Sequence, residues 1–430
     1  PSGAIIKNKN KTYTFIDNFY YFSGFSDFNI KNEDVLFLGY GIESEIYNDY
    51  KDQDVRGKVL LVLNGEPRNK KGKSLITETK TPSVWTTSNT KKSITASENG
   101  AIALLIISEN YIGRLNEIEH FVKNPPCKVV IDNEEDDKSL PTFYISPEMA
   151  NDLMNDLGNA WSLKKIKKKT YKQKTPQIAL IPTVLDIVVE RDKHEILTEN
   201  ILGFIEGTDK KDELLIISAH YDHLGVIDGE VYNGADDDGS GTVALLEMAE
   251  AFSKAKSEGN GPRRSILFLA FAGEEKGLLG SKYYVNKPFF PLKKTIANLN
   301  IDMIGRIDNN HRENTNYVYL IGADKLSSDL HNISSKCNRE YTELDLDYTY
   351  NSPDDPNRFY YRSDHYNFAR KNIPVIFFFT GIHEDYHKAT DTIDKINFNK
   401  IKKITKLVFF TAWTLANRED RILVDKIPND

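Results

Sequence analysis

In the second half of this 430-residue sequence, histidines and carboxylates gather at five places, three of them just past a run of apolar residues. The run L-L-I-I-S-A leads into His220, Tyr221, Asp222 and His223. A lone histidine at a strand end is more often structural than a ligand. Asp222 shifts that balance, because a carboxylate beside a metal-binding imidazole commonly takes its second N–H and sets the tautomer. Next comes N-G-A-D-D-D-G-S-G, residues 233–241. An acidic turn capped by Ser240 accounts for one or two of these carboxylates. Three in a row repel one another unless a cation compensates them.

The third place is S-I-L-F-L-A-F-A-G-E-E-K-G, where an apolar strand delivers Glu274 and Glu275. Neighbouring side chains diverge, so one carboxylate can face a metal and the other a water. The fourth is L-N-I-D-M-I-G-R with Asp302; the fifth runs from R-F-Y-Y-R-S-D-H to H-E-D-Y-H-K-A-T-D-T with His365, His383 and His387, not all of which can be ligands. Together the five supply two imidazoles and three carboxylates at strand ends. Three negative charges balance two divalent ions once a hydroxide is added. Oxygen and nitrogen donors without thiolate suit zinc, with manganese or cobalt as substitutes. Cys127 and Cys337 stand far apart and support neither a disulfide scaffold nor a cysteine zinc site.

The elements that must position these residues lie beyond residue 176. Strands are expected at 214–219, 266–270, 297–301, 318–321 and 375–379, with a helix at 241–256 whose apolar stripe is Leu245, Leu246, Ala249 and Phe252. A closing helix over 399–417 carries Ile401, Ile404, Val408, Trp413 and Leu415. This alternation predicts an α/β catalytic domain over 176–430, a three-layer αβα arrangement around a mostly parallel sheet. In such sheets ligands bind beyond the carboxyl ends of the strands, where all five motifs fall.

Before it, residues 34–165 read as a smaller β-rich accessory domain. Its strands are expected at 35–39, 58–63, 101–107 and 127–131, with a helix opened by Ser146 and Pro147. The lysine-rich run 164–174 reads as a solvated linker or exposed edge strand at the boundary. Residues 1–33 are expected to pack back on the catalytic domain.

A formal net charge of -7 argues against nucleic acid as a partner, and peptide substrates fit better. No apolar run approaches the ~20 residues that span a bilayer. The chain starts at Pro1, which reads as trimming of an exported protein, so an extracytoplasmic (periplasmic or secreted) setting is expected. Nothing in the sequence indicates a subunit number.

The five motifs, in this order, resemble metallopeptidase family 28, which includes dizinc aminopeptidases, glutamate carboxypeptidases and glutaminyl cyclases. The resemblance spans roughly residues 200–415. It implies two zinc ions, with His220 and Asp302 on one, Glu275 and His387 on the other, and Asp237 bridging both. It further implies a cis peptide between Asp237 and Asp238, Glu274 as general base, Asp222 as outer partner of His220, and Tyr360 as the group that polarises the substrate carbonyl. The segments V-R-G-K-V-L-L-V-L-N-G and N-G-A-I-A-L-L-I-I resemble a protease-associated domain. The expected activity is that of a metal-dependent aminopeptidase. Its rivals are glutaminyl cyclisation or carboxypeptidase and dipeptidase action on the same fold, and a non-catalytic binding module.

Overall fold

The computed structural model describes residues 4–22, 25, 27–123, 127–130, 139–190 and 195–426. Two compact units divide the chain, one of Pro1–Pro126 with Asp132–Glu195, the other of Cys127–Ile131 with Ile196–Asp430.

The first unit is built on an eight-stranded sheet in the order Thr12–Thr14, Ile5–Lys7, Ile178–Val189, Phe28–Leu38, Val59–Leu63, Ala103–Ile107, Thr142–Ile145, Phe19–Tyr21. The described residues among 1–33, expected as a separate segment, instead join the first unit's sheet: Ile6 pairs with Ile187, and Tyr20 with Tyr144. Burial of Tyr13, Phe19, Tyr20 and Tyr21 explains the placement, since these large side chains fill the first unit's own cores. The boundary expected at 164–176 falls near 195, because Ile178–Val189 pairs along Phe28–Leu38.

The lysine run is neither linker nor edge strand. Leu163–Gln173 is a helix that buries Ile166 and Thr170, spaced i and i+4, and exposes its lysines apart from the half-buried Lys167. Lys174, in the left-handed conformation, ends it. The expected helix at Pro147–Met154 is present, with Ser146 Oγ accepting from the Met149 N–H at 3.1 Å. The strand expected at 127–131 does not form: 127–130 lies outside any strand, and Ile131 lies outside the described residues.

In the second unit a seven-stranded sheet runs Asp345–Asp347, Tyr317–Ile321, Val375–Phe379, Thr295–Ile301, Lys210–His220, Arg264–Phe271, Ile201–Ile205. Four of its six strand pairs are parallel, and the two antiparallel ones involve Tyr317–Ile321 and the edge strand Ile201–Ile205. Helices Gly239–Ser257, Ser328–Tyr341 and Phe398–Asn417 cover one face, and Leu279–Asn286 and His365–Ala369 the other. This is the expected three-layer αβα fold with a mostly parallel sheet. One detail differs: Leu246 is exposed, and the buried stripe of Gly239–Ser257 is Ala244, Leu245, Met248 and Phe252.

The closing helix is tied to the sheet by Arg264, a fully buried guanidinium. Its Nη1 donates to the carbonyls of Leu415 at 3.0 Å and Arg418 at 2.6 Å, its Nη2 to Glu419 at 3.2 Å, and its Nε faces Glu213. Methionine at 264 would keep the volume and leave those helix-end carbonyls without donors. Arg264→Met is expected to cost at least about 3 kcal/mol, with three carbonyls left unsatisfied at ~1–3 kcal/mol each, read as a lower denaturant midpoint. An unchanged midpoint would show that water replaces the guanidinium freely.

Candidate metal centre

Parallel register brings the motifs to one edge of the second sheet. His220 is the last residue of its strand and lies opposite Phe271, so Glu274 and Glu275 follow just beyond the neighbouring strand end. On the other side Ser218 pairs with Asn300, and Asp302 follows directly after Ile301. Val375–Phe379 stands next to Thr295–Ile301, and its carboxyl end leads to His383 and His387.

The three consecutive aspartates divide their work. Asp238 caps helix Gly239–Ser257, the role expected of Ser240. Its Oδ1 accepts from the N–H of Gly241 at 2.9 Å and Met303 at 3.1 Å, and its Oδ2 from the N–H of His220 at 3.2 Å. Gly241 is required there, because a Cβ would lie 2.4 Å from the Asp238 carboxylate and 2.7 Å from the Ile301 carbonyl. Asp236 Oδ1 accepts from the Gly305 N–H at 2.6 Å, and its Oδ2 stands 3.3 Å from His383 Nε2. Only Asp237, joined to Asp238 by a cis peptide, turns its carboxylate into the centre. The Asp391 carboxylate holds this loop by accepting from the N–H groups of Asp236 and Asp237 at 3.0 and 3.2 Å.

Around Asp237 the donors form two groups. Its Oδ1 is 3.3 Å from His220 Nε2, which is in turn 3.7 Å from Asp302 Oδ1. Its Oδ2 is 3.2 Å from His387 Nε2, which is 3.1 Å from Glu275 Oε2. All five side chains expected as ligands thus converge. His223 converges with them: its Nδ1 lies 2.9 Å from Glu275 Oε1 and 3.9 Å from Asp237 Oδ2. The sets His220, Asp237, Asp302 and His223, Asp237, Glu275 each bring three ligand atoms within 4.8 Å of one another. His223 was legible only as the second imidazole of H-Y-D-H, with no role attached to it.

The donor set fits divalent cations. His220 Nε2, His223 Nδ1, Asp237 Oδ2 and Glu275 Oε1 are buried polar atoms that, despite these close approaches, form no aligned hydrogen bond among the described residues. Orphans of this kind are costly without an ion or water to receive them. Electrostatics agree. Burial works against charge on His387, yet Asp237 and Glu275 raise its pKa to about 9. Burial likewise opposes charge on His220, and Asp302, Asp222 and Asp237 outweigh it, raising the imidazole well above its usual value. The pocket is a basin of negative potential that favours cations.

Two supports fix the donors. His220 Nδ1 lies 3.0 Å from the Asp222 carbonyl oxygen, so Nδ1 carries the proton and Nε2 is free to coordinate. The Asp222 carboxylate, expected to be that partner, is 3.7 Å away; it accepts instead from the backbone N–H of Glu274 at 3.1 Å and Glu275 at 3.3 Å. Asp302 is held by a buried chain: Asn298 Nδ2 donates to Ser218 Oγ at 2.8 Å, Ser218 Oγ to Asn300 Oδ1 at 2.7 Å, Asn300 Nδ2 to Ser363 Oγ at 2.9 Å, and Ser363 Oγ to Asp302 Oδ2 at 2.6 Å. Ser363→Ala is expected to weaken metal affinity about 10-fold, since outer partners of ligands typically carry 10–100-fold. Competition with a chromogenic chelator measures it, and unaltered affinity would make the chain ornamental to binding.

A cavity of about 30 Å³ opens over the carboxylates of Asp237, Glu274 and Asp302. That exceeds the ~10–15 Å³ one water needs. Phe359, Phe377, Phe379 and Ile382 form its apolar wall, with Arg362 and Tyr386 beside it. The Tyr386 ring stacks on His387 at 3.8 Å, and its hydroxyl lies 3.4 Å from Arg362 Nη2. Tyr360 does not line this cavity. It packs against Tyr361, His365 and Tyr366, under Lys325 Nζ at 4.8 Å. Glu274 does line it; burial raises its carboxyl well above the ordinary value, opposed by His220 and reinforced by Asp302, Asp364 and Glu275.

Residues 200–412 match the sequence model of peptidase family M28. This stretch of the chain belongs to that family. Over 246 residues the chain is 30% identical to a probable leucine aminopeptidase of Arthroderma benhamiae, covering 55% of this chain and 63% of that protein. Aminopeptidase YwaD of Bacillus subtilis is 27% identical over 232 residues, covering 52% of this chain and 46% of its own length. Among solved structures, an aminopeptidase from Aneurinibacillus sp. strain AM-1 aligns over 99% of this chain and 83% of its own at 19% identity, with a TM-score of 0.46. The chain thus spans under two thirds of the length of these curated relatives.

Proposed function

We propose that this M28 chain is a metal-dependent aminopeptidase that removes N-terminal residues from peptides at a two-ion centre. One observation carries the reading: Asp237 places one carboxylate oxygen in each of two donor groups, so a single side chain can serve two cations. His220, Asp237 and Asp302 would hold one ion; Asp237, Glu275 and His387, with His223 alongside, would hold the other. Zinc suits these donors. When bound there, such ions supply a lowered water pKa and Lewis-acid polarisation of a carbonyl.

The rest of the chemistry falls to the chain. Glu274 takes the proton of the attacking water and returns it to the leaving amine. Tyr386, which lines the cavity where Tyr360 does not, would donate its hydroxyl proton to the oxygen on which charge develops. The apolar wall of Phe359, Phe377, Phe379 and Ile382 excludes water and favours an apolar N-terminal residue. The exopeptidase mode takes its support from the aminopeptidases among the relatives. The first unit is proposed to be a protease-associated-like module, supported by the adjacency of Val59–Leu63 and Ala103–Ile107, the strands formed by its two resembling segments. An extracytoplasmic setting belongs to the same proposal; no helix among the described residues is long and apolar enough to cross a membrane.

Leucyl-p-nitroanilide and its N-acetylated form, each with and without chelator, test this. The free amine substrate should be cleaved, the blocked one should not, and chelation should abolish cleavage until zinc is restored. Equal cleavage of the blocked substrate, or full activity in chelator, would remove the proposal. Cyclisation of a glutaminyl peptide in place of cleavage would transfer it to that reaction.

A further inference from the structure

A concavity of the first unit lies beyond the carboxyl ends of its parallel strands, and nothing in the peptidase reading uses it. Val59–Leu63, Ala103–Ile107 and Thr142–Ile145 run side by side, with Leu63 opposite Ile107 and Ile107 opposite Ile145. Asn64 and Asn110, from the loops after the first two, line a cleft of about 660 Å³, within the ~300–1,000 Å³ typical of small-molecule sites. Crevices at this end of a sheet are where open α/β architectures bind small ligands.

From its lining, we infer that this cleft is a second binding site, for a neutral polyhydroxylated molecule of the saccharide class. One wall is aromatic: Tyr20 and Tyr144 stack at 5.0 Å and 10°, and Phe22 meets them edge-on at 6.0 and 5.8 Å with 44% of its surface exposed. Tyr20 is buried beneath this wall, so the exposed Phe22 ring supplies the flat apolar face that receives the C–H face of a sugar ring. The charges in the cleft cancel locally, because Arg68 pairs with Glu66, Arg114 with Glu117 at 2.7 Å, and Lys167 with Glu109. An ionic ligand would have to break such a pair, whereas a neutral one would not.

The hydrogen-bonding capacity left over belongs to side chains. At the floor, Lys92 donates to the carbonyls of Tyr40 and Gly65, Asn64 Oδ1 accepts from the Gly65 N–H at 2.8 Å, and the Ile145 carbonyl accepts from the Ser108 N–H at 2.9 Å. With that main chain satisfied, a peptide that reads backbone groups finds little to pair with. Thr86 Oγ1 and Asn89 Oδ1, by contrast, are buried in the lining without a hydrogen-bond partner among the described residues. Both accept from hydroxyl groups, the donors in which a sugar is rich.

Calorimetric titration of the full chain with maltose, cellobiose and N,N′-diacetylchitobiose tests the inference, with inorganic phosphate and triglycine as comparison ligands. At least one disaccharide should bind saturably. Phe22→Ala and Asn89→Leu should each weaken that binding about 10-fold, equal to ~1.4 kcal/mol, while leaving leucyl-p-nitroanilide cleavage unchanged. Unchanged cleavage and circular dichroism report folding; should Asn89→Leu fail to fold, Phe22→Ala, at an exposed position, decides alone. No heat from any disaccharide, saturation by phosphate or triglycine only, or disaccharide affinity indifferent to the substitutions overturns the site. The inference stands apart from the metal centre, and failure of either leaves the other intact.

Discussion

Asparagine at position 237 is expected to empty the centre of both metal ions and to lower peptide cleavage by about 10³-fold or more, the scale set by losing metal-activated water. The carboxylate lies 3.3 Å from His220 Nε2 on one side and 3.2 Å from His387 Nε2 on the other. Burial pushes the Asp237 carboxyl up, but the imidazoles of His220 and His387 and the nearby His223 more than offset it, so the group is held ionised. An amide in its place withdraws one negative charge from both donor groups at once and turns an N–H₂ toward an imidazole or a cation. Asp302→Asn is the control. It touches only the group containing His220, so about one ion per chain should remain, as expected where ligand sets are separable. Metal analysis of the two purified variants reads the difference directly. Two ions retained in Asp237→Asn would show that this carboxylate does not bridge, and the two-ion reading would fall with it.

Much of the centre was legible because apolar runs of strand length end on the ligands themselves. In a parallel sheet the carboxyl ends share one edge, so His220, Glu275 and Asp302 converge once their strands are recognised. Side-chain direction within the loops was not legible from the residues themselves, and Asp237 was singled out only by the family resemblance. Which of three adjacent aspartates enters the centre depends on backbone N–H groups at Gly241, Met303 and Gly305, donors far apart in sequence. The same limit applies to the tyrosine that lines the cavity: Tyr386 precedes His387, whose backbone is left-handed at φ 56°, and no periodicity forecasts that turn. The first unit was read too narrowly because its sheet closes through non-local pairs such as Ile6 with Ile187, which leave no local pattern. The helix Leu163–Gln173 did leave one, in Ile166 and Thr170, but the surrounding lysines obscured it.

Glutamine at position 274 should separate chemistry from metal binding. Glu274 borders the cavity with Asp237 and Asp302 but belongs to neither of the donor groups. Its backbone is clamped by the Asp222 carboxylate, which accepts from the N–H of both Glu274 and Glu275, so the two side chains keep their divergent directions whatever their protonation. Glutamine preserves shape and cannot take a proton. The expected fall in kcat is about 10³-fold, within the ~10²–10⁴ that a positioned base contributes, with KM and metal content near those of the parent. Glu274→Asp keeps the charge and withdraws it by one methylene, about 1 Å, a misplacement that typically costs on the order of 10²-fold. Three measurements on each variant settle the assignment: steady-state kinetics, metal analysis and chelator competition. Turnover within a few-fold of the parent in Glu274→Gln would move the base elsewhere in the cavity, whereas loss of metal with activity would make Glu274 a ligand and return the question to Glu275.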